Sequence, residues 1–402
     1  MNELVAYLRS PAAIRSRCRQ LFQNAVAGKS RYFDCDLARL PDAADYVIDV
    51  IRSEYPHLQV PFHSRWRHFE VGGVQRLQQL NNSLAKFSPH ERAIAKFDLA
   101  IISVLLDAGA GSDWYYCEPL TNISFKRSEG LAIASFQMFC QGAFSNDKTR
   151  VMRVDAQRLQ DFTEADLVHG FQIRSDNPLV GVTGRLQLLQ KLGKVLTALP
   201  QYFGENPRPG NLVNYLVSKV DDNQLSATTV FDAVLSSLSE IWPGRVLVAG
   251  VNLGDVWRHP DIAWDGLVPF HKLSQWLTYS LLEPLQELGI KITDLDQLTG
   301  LPEYRNGGLC VDLELLRPKH PDILLTSHSV ESPVIVEWRA LTVMLLDEIA
   351  ASIREKLSMS TEELPLVKIL QGGTWTAGRK IAAQKRPGGV PPIQILSDGT
   401  VF

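Results

Sequence analysis

Phe270-His271-Lys272-Leu273-Ser274-Gln275-Trp276-Leu277-Thr278-Tyr279-Ser280-Leu281-Leu282-Glu283-Pro284-Leu285-Gln286-Glu287-Leu288 carries a clear period: Phe270, Leu273, Leu277, Leu281, Leu285 and Leu288 recur at three- and four-residue steps. That spacing lays them along one stripe of an α-helix. Lys272, Gln275 and Tyr279 project from the opposite side, either as a solvated face or as the wall of a cleft. Pro284 has no amide hydrogen to give to the helix, so it should kink or restart it.

The same period extends outward. From about Val334 to Ile353, Trp338, Leu341, Leu345 and Ile349 form a stripe, and Val336, Val343 and Met344 are apolar elsewhere around it. Such a helix is largely buried. Glu337 then lies beside Leu341 and Met344, where a carboxylate must be paired or have its ionisation suppressed. Strand-like alternation and hairpin signals are scarce across the rest of the chain. Pro207-Arg208-Pro209-Gly210, Pro243-Gly244, Gly307-Gly308 and Pro387-Gly388-Gly389 read as loops between helices. No repeat, low-complexity tract or shift of composition marks a boundary. The pattern predicts a mainly α, compact helical bundle forming a single domain over residues 1–402, with a possible subregion 1–150 packed on 151–402. At the end, apolar residues alternate around Asp398-Gly399, which predicts a small C-terminal β-hairpin.

Composition narrows the function. The chain has 402 residues, 45 % hydrophobic and 21 % charged, which excludes disorder and collagen or coiled-coil arrays. Lys+Arg is 41 against Asp+Glu 44, a net charge of −3, without the basic excess of a nucleic-acid binder. Five scattered cysteines with no CxxC argue against a disulfide framework or zinc knuckle. No signal peptide or membrane span is read, and a cytoplasmic protein is expected.

Asp107-Ala108-Gly109-Ala110-Gly111-Ser112-Asp113 looks like the start of a nucleotide or S-adenosylmethionine loop, but the third glycine is missing. A glycine turn that delivers Asp113, Trp114 and Tyr115 to a pocket suits it better. His63 and His68 stand without a carboxylate-rich cluster or HExxH, so no metal is expected. GxSxG and Walker A sequences are both absent. The densest cluster runs from Asp294 to Gly308. Asp294 with Gln297 fits a capping box, and Pro302 fits the first turn of a further helix. Glu303 would then sit near a helix N-terminus, where the dipole favours its ionised form. Arg305 and Lys272 offer positive charge for a phosphate; a surface pair between Arg305 and Glu303 is the plainer reading.

At this cluster the chain resembles the uracil-catabolism protein four family, the Urg-three proteins. The resemblance runs through nearly the whole sequence. It rests on His68-Phe69-Glu70-Val71-Gly72-Gly73, Asp107 to Trp114, Arg127-Ser128-Glu129-Gly130-Leu131, Asn177-Pro178-Leu179-Val180-Gly181, Gly254-Asp255-Val256-Trp257, Leu298 to Gly308 and Ser397 to Phe402. A more distant likeness is to the queuosine-salvage glycosidases, helical relatives of DNA glycosylases that cleave the N-glycosidic bond of queuosine 5′-monophosphate. Ser175-Asp176 with Pro178-Leu179 and Arg185, Lys272 with Gln275, Asp294 to Thr299 with Glu303-Tyr304-Arg305, and Val336 to Ala340 carry it. Glu303 stands where those enzymes have aspartate, and Asn306-Gly307-Gly308 replaces their Val-Pro-Gln, pointing to a smaller leaving group.

The two resemblances together imply a DNA-glycosylase-like helical fold and an enzyme of uracil catabolism. The expected reaction is hydrolysis of ribosylurea 5′-phosphate to urea and ribose 5-phosphate. They imply Glu303 and Asp176 as catalytic residues, and Asp113, Trp114, Lys272, Gln275, Tyr304 and Arg305 as substrate-binding residues. Lys272 and Arg305 would take the phosphate, Tyr304 and Trp114 would wall the pocket, and Asp113 or Asp176 would bind the urea N–H groups. The implied partners are a small ribose phosphate and, functionally, the other enzymes of the pathway. Neither nucleic acid nor membrane is implied, and no cofactor is required. The rival expectation is a non-catalytic, nucleotide-binding regulator of the same pathway, and a third is S-adenosylmethionine bound at Gly109 to Gly111.

Overall fold

A computed structural model describes residues 3–107, 109–111, 113–242 and 246–396. More than half of them are helical, and the strands are two or three residues long and joined only in pairs. The mainly α class is therefore what the chain adopts. Its residues gather into two compact units that interleave in sequence. The first takes the described residues of Met1–His63, Gly244–Gln275 and Asp294–Ser397, and the second those of Ser64–Pro243 and Trp276–Thr293. No division falls at residue 150.

The first unit is built on the helix Pro333–Leu357, against which Pro11–Val26 and Leu40–Glu54 pack. Pro333 opens the long helix at a position where a missing amide hydrogen costs nothing. Its buried residues include Val334, Trp338, Leu341, Val343, Leu345 and Ile349, so it is apolar nearly all round, as its sequence requires. Ser10 starts the Pro11 helix by accepting the amide of Ala13 at 3.1 Å. Two glycines let helices approach closely. A Cβ on Gly378 would stand 2.3 Å from the carbonyl oxygen of Arg305, and one on Gly307 would stand 2.7 Å from the Trp338 ring. The helices Tyr304–Asp312 and Trp375–Lys385 are thereby locked together. A π-turn at Leu370–Thr374 leads into the second of them.

The second unit is centred on the helix Pro89–Leu105, opened by a Ser88–Glu91 capping box. Its buried Asp98 accepts the amides of Val154 at 3.0 Å and Gly210 at 2.7 Å together with the guanidinium of Arg208, tying two loops to one carboxylate. Arg76 and Glu118 form a second buried pair, with both N···O distances at 2.6 Å.

Several expectations change. The helix Lys272–Gln286 forms, but Gln275 and Tyr279 on its supposed polar face are fully buried, so that face is not solvated. Small hydroxyls make the burial tolerable; Ser280, for one, bonds back to the Trp276 carbonyl at 2.9 Å. Pro284 neither restarts nor ends the helix at once. The carbonyl it orphans, that of Ser280, accepts the indole N–H of Trp66 at 2.7 Å. The loop at Asp107 follows a helix, not a strand, which removes the basis of the S-adenosylmethionine reading. Asp294 does not cap; it lies at φ 55° before a single 3₁₀ turn. Near the C-terminus, Gln394–Leu396 pairs in parallel with the distant strand Ser327–Ser329. The Asp398-Gly399 turn lies outside the described residues. All five cysteines are unbridged. Among the described residues no helix is long and apolar enough to cross a membrane.

Candidate active site

Glu303 is the N-cap of the Tyr304–Asp312 helix, so Pro302 precedes the helix and does not lie in its first turn. Its longer side chain folds back so that one oxygen accepts the amide of Arg305 at 2.8 Å and the other that of Asn306 at 2.7 Å. Two of the unpaired donors of the helix start are satisfied this way. Asn306 closes the turn by donating to the Leu301 carbonyl at 3.0 Å. The carboxylate is set in dense protein, and burial pushes its pKa up; the two amides, Arg305 and Lys272 pull the other way without cancelling the rise. The dipole argument alone gives the opposite direction, because it leaves desolvation out.

Arg305 sits over aromatic faces. Its guanidinium carbon is 4.7 Å from the centre of the Trp375 ring and 5.4 Å from that of Tyr304. Among the described residues no carboxylate pairs with it and no acceptor takes its side-chain N–H groups. The plain reading of an Arg305–Glu303 ion pair therefore does not hold: the glutamate oxygens are spent on backbone amides. Gln275 is fully buried and grips Thr299, accepting its amide at 2.8 Å and donating to its hydroxyl. That fixes the segment leading into Glu303. Arg15 holds the same segment through the carbonyls of Gln297 and Leu298 at 2.8 and 2.7 Å. Lys272 opens its helix with its amide on Asp255 at 2.9 Å, and its half-buried ammonium contributes to the field at Glu303.

Five of the expected residues thus fall in one unit: Lys272, Gln275, Glu303, Tyr304 and Arg305. Asp113, Trp114 and Asp176 belong to the other. Trp114 is a core residue there, fully buried, with its indole N–H on the Phe171 carbonyl at 3.0 Å. Asp113 is exposed. Asp176 is exposed too, paired with Arg174 at 3.0 Å, which holds its pKa below the usual carboxylate value. It is an anion at neutral pH, fit to accept N–H groups and not to give up a proton.

Comparison with known proteins is decisive at this point. Residues 7–402 match the family described as "Protein of unknown function (DUF1688)". The chain belongs to this family. It is 41 % identical over 409 residues to Protein urg3 of Schizosaccharomyces pombe, covering all of both chains. It is 38 % identical over 436 residues to Uracil catabolism protein 4 of Lachancea kluyveri, covering 99 % of each. The resemblance read from the motifs holds along the whole sequence.

The sequence reading missed what stands around Arg305 in this member of the family. Trp375 carries Arg305 on its face, and the guanidinium carbon of Arg379 lies 6.0 Å from the same ring. His63, which was weighed only as a metal ligand, has its ring 5.8 Å from Trp375, with Nδ1 2.8 Å from the Gln371 side-chain oxygen. Burial pushes its pKa down to about 4, so it is neutral at physiological pH. The available signal was Gly372-Gly373 interrupting an otherwise helical stretch just before Trp375.

One set of side chains has the composition of a metal site: the ligand atoms of His259, Asp261 and Glu337 lie within 4.8 Å of one another. The hydrogen bonds argue against that use. His259 Nδ1 accepts the Asp261 amide at 3.2 Å, so in the neutral ring Nε2 carries the proton and faces Glu337 at 3.5 Å. Asp261 is engaged by Arg31 through both oxygens at 2.8 and 2.9 Å. Glu337 receives the Ser30 hydroxyl and the Tyr32 amide. The buried carboxylate flagged in the long helix is therefore paired, and Arg339 is not its partner.

Proposed function

We propose that this protein is an N-ribohydrolase of uracil catabolism that converts ribosylurea 5′-phosphate to urea and ribose 5-phosphate. The pathway follows from the name of the Lachancea kluyveri relative. The reaction follows from the motif likeness to nucleotide N-glycosidases. The observation that carries the chemistry is Glu303: a carboxylate held rigidly by two amides, raised in pKa by burial, beside an Arg305 with no acceptor.

N-glycosidic cleavage passes through an oxocarbenium-like transition state. The C1′–N bond breaks, its electron pair stays with the urea nitrogen, and that nitrogen takes up a proton from solvent. Water adds its oxygen to C1′ and gives up a proton. Ionised Glu303 opposes the developing positive charge and accepts the proton from water. Its two amide bonds fix its position before the reaction, so no reorganisation is needed as charge appears. A raised pKa brings a carboxylate closer to the range in which proton transfer is effective near neutrality. Lys272 and Arg305 take the 5′-phosphate, Tyr304 walls the pocket, and Gln275 acts through Thr299 on the placement of Glu303.

The test is urea release from synthetic ribosylurea 5′-phosphate, with UMP, uridine and queuosine 5′-monophosphate alongside. Robust release that is lost in Glu303→Gln supports the hydrolase. No release, with nucleotide binding that survives Glu303→Gln, would replace it with the pathway regulator, which needs the cations but not the glutamate.

A further inference from the structure

We infer that Arg305, set over the face of Trp375, and Arg379 beside the same ring form a receptor for a phosphate monoester, and that Trp375 sets the preference for phosphorylated over free ribosides. The inference rests on the proposed reaction for the identity of the sugar phosphate, but the anion class follows from the site itself.

A guanidinium that stacks on an aromatic ring spends its face and keeps its in-plane N–H groups for an anion. Arg305 is in that state: 4.7 Å over Trp375, 5.4 Å from Tyr304, half-buried, and without an acceptor among the described residues. Five donors left unused in partly dehydrated surroundings are costly unless water or a ligand meets them. The Glu303 carboxylate does not meet them, because both its oxygens are on amides. Arg379 brings a second guanidinium to within 6.0 Å of the Trp375 ring centre.

The ring that carries both is fixed from several sides. Gly378 puts its helix directly on the Arg305 carbonyl, so Trp375 and Arg305 cannot slide apart without separating two backbones. His63 abuts the indole and is itself held by Gln371 inside the π-turn. Irregular turns of that kind recur where a side chain must be aimed. Two fully buried polar atoms border the contact in sequence. Asn306 Oδ1 follows Arg305, Thr374 Oγ1 precedes Trp375, and neither has a hydrogen-bond partner among the described residues. Ligand hydroxyls or ordered water are the groups that would satisfy them.

The experiment is calorimetric titration of the full-length protein with ribose 5-phosphate, inorganic phosphate and ribose. Wild type, Arg305→Lys, Trp375→Leu, Trp375→Phe and Arg379→Gln are compared, each checked for an unchanged melting profile. Wild type should bind ribose 5-phosphate and phosphate but not ribose at millimolar concentration. Arg305→Lys and Trp375→Leu should weaken ribose 5-phosphate about 10–100-fold, because charge alone does not replace the fixed fork. Trp375→Phe, which keeps an aromatic face, should lose less than Trp375→Leu. Arg379→Gln should lose about tenfold. Equal affinity for ribose, unaltered binding in Arg305→Lys and Trp375→Leu, or no phosphate binding by wild type would overturn the inference. The two readings fail separately. Phosphate binding through Arg305 without urea release removes the hydrolase and leaves the receptor. Urea release with an unchanged KM in Arg305→Lys removes the receptor and leaves the hydrolase.

Discussion

Two carboxylate–arginine couples lie in the same unit and are used in opposite ways. Asp255 and Arg339 close on each other: two N···O distances of 2.8 Å, with the Trp257 indole at 2.6 Å and the Lys272 amide at 2.9 Å filling the remaining lone pairs. Glu303 and Arg305 are two residues apart, yet they do not bond through their side chains. One is held by amides and the other by aromatic faces. The pKa directions follow. Arg339 and the added donors hold Asp255 well below the usual carboxylate range, whereas burial leads at Glu303 and raises it. In the closed pair the carboxylate has no lone pair left to offer a ligand. An open one keeps a basic carboxylate and a donor-rich cation side by side, at some cost in stability.

The largest effect should come from opening the closed pair. Arg339→Ala leaves the Asp255 charge buried without its counter-ion and should destabilise the fold by about 3–5 kcal/mol, read from the urea unfolding midpoint. Arg339→Met combined with Asp255→Asn should cost clearly less than the single change, because no uncompensated charge remains. A double variant as unstable as Arg339→Ala would show that packing around Phe270, 4.1 Å from the guanidinium, matters more than charge.

Next is the open couple itself. Glu303→Gln should lower urea release roughly 10²–10³-fold without lowering the unfolding midpoint. Glutamine retains one acceptor for the amides and brings no charge that burial disfavours. A variant that loses activity and fold together would make Glu303 a structural cap and move it to the same side as Asp255.

These couples also show how far the sequence could be read. The long helix was legible because Trp338, Leu341, Leu345 and Ile349 repeat a local period, and local periods need no knowledge of tertiary contacts. The buried face of the Lys272 helix was not, since Gln275 and Ser280 look polar until Thr299, the Trp276 carbonyl and the Arg65 amide are seen to satisfy them. The Glu303 cluster was legible as a motif, and Glu303 was correctly placed near a helix start. The direction of its pKa was not, because burial depends on residues distant in the chain. Trp375 was invisible for the same reason: 70 positions separate it from Arg305, and tertiary packing, with Gly378 on the Arg305 carbonyl, joins them. The parallel pairing of Gln394–Leu396 with Ser327–Ser329 was not legible either, because a distant parallel partner leaves no turn signal next to the strand.

The pH dependence of stability separates the couples by sign. Asp255, depressed on folding, contributes stability that is present above the ordinary aspartate value and is lost as pH falls through the folded pKa. Glu303, raised on folding, favours the folded state while protonated. Its contribution falls as pH rises from the ordinary glutamate value through the folded one. Glu303→Gln should therefore gain stability relative to wild type as pH goes from 4 toward neutrality. Parallel curves over that interval would mean that its carboxylate titrates as it does in the unfolded chain.

The smallest stability effect should be at Arg305, the counterpart of Arg339. Removing Arg305 as Gln forfeits the stacking on Trp375 and Tyr304, about 0.5–1 kcal/mol at a partly exposed position, and leaves no buried carboxylate without a partner, because Glu303 keeps both amides. Chemical denaturation should thus place Arg305→Gln within about 1 kcal/mol of wild type, several-fold less than Arg339→Ala. The same charge is deleted from the same unit in both variants, so the size of the gap measures how far each arginine is committed to the fold. A cost for Arg305→Gln as large as that for Arg339→Ala would mean that Arg305 is already spent on the protein and has no donors reserved for a phosphate.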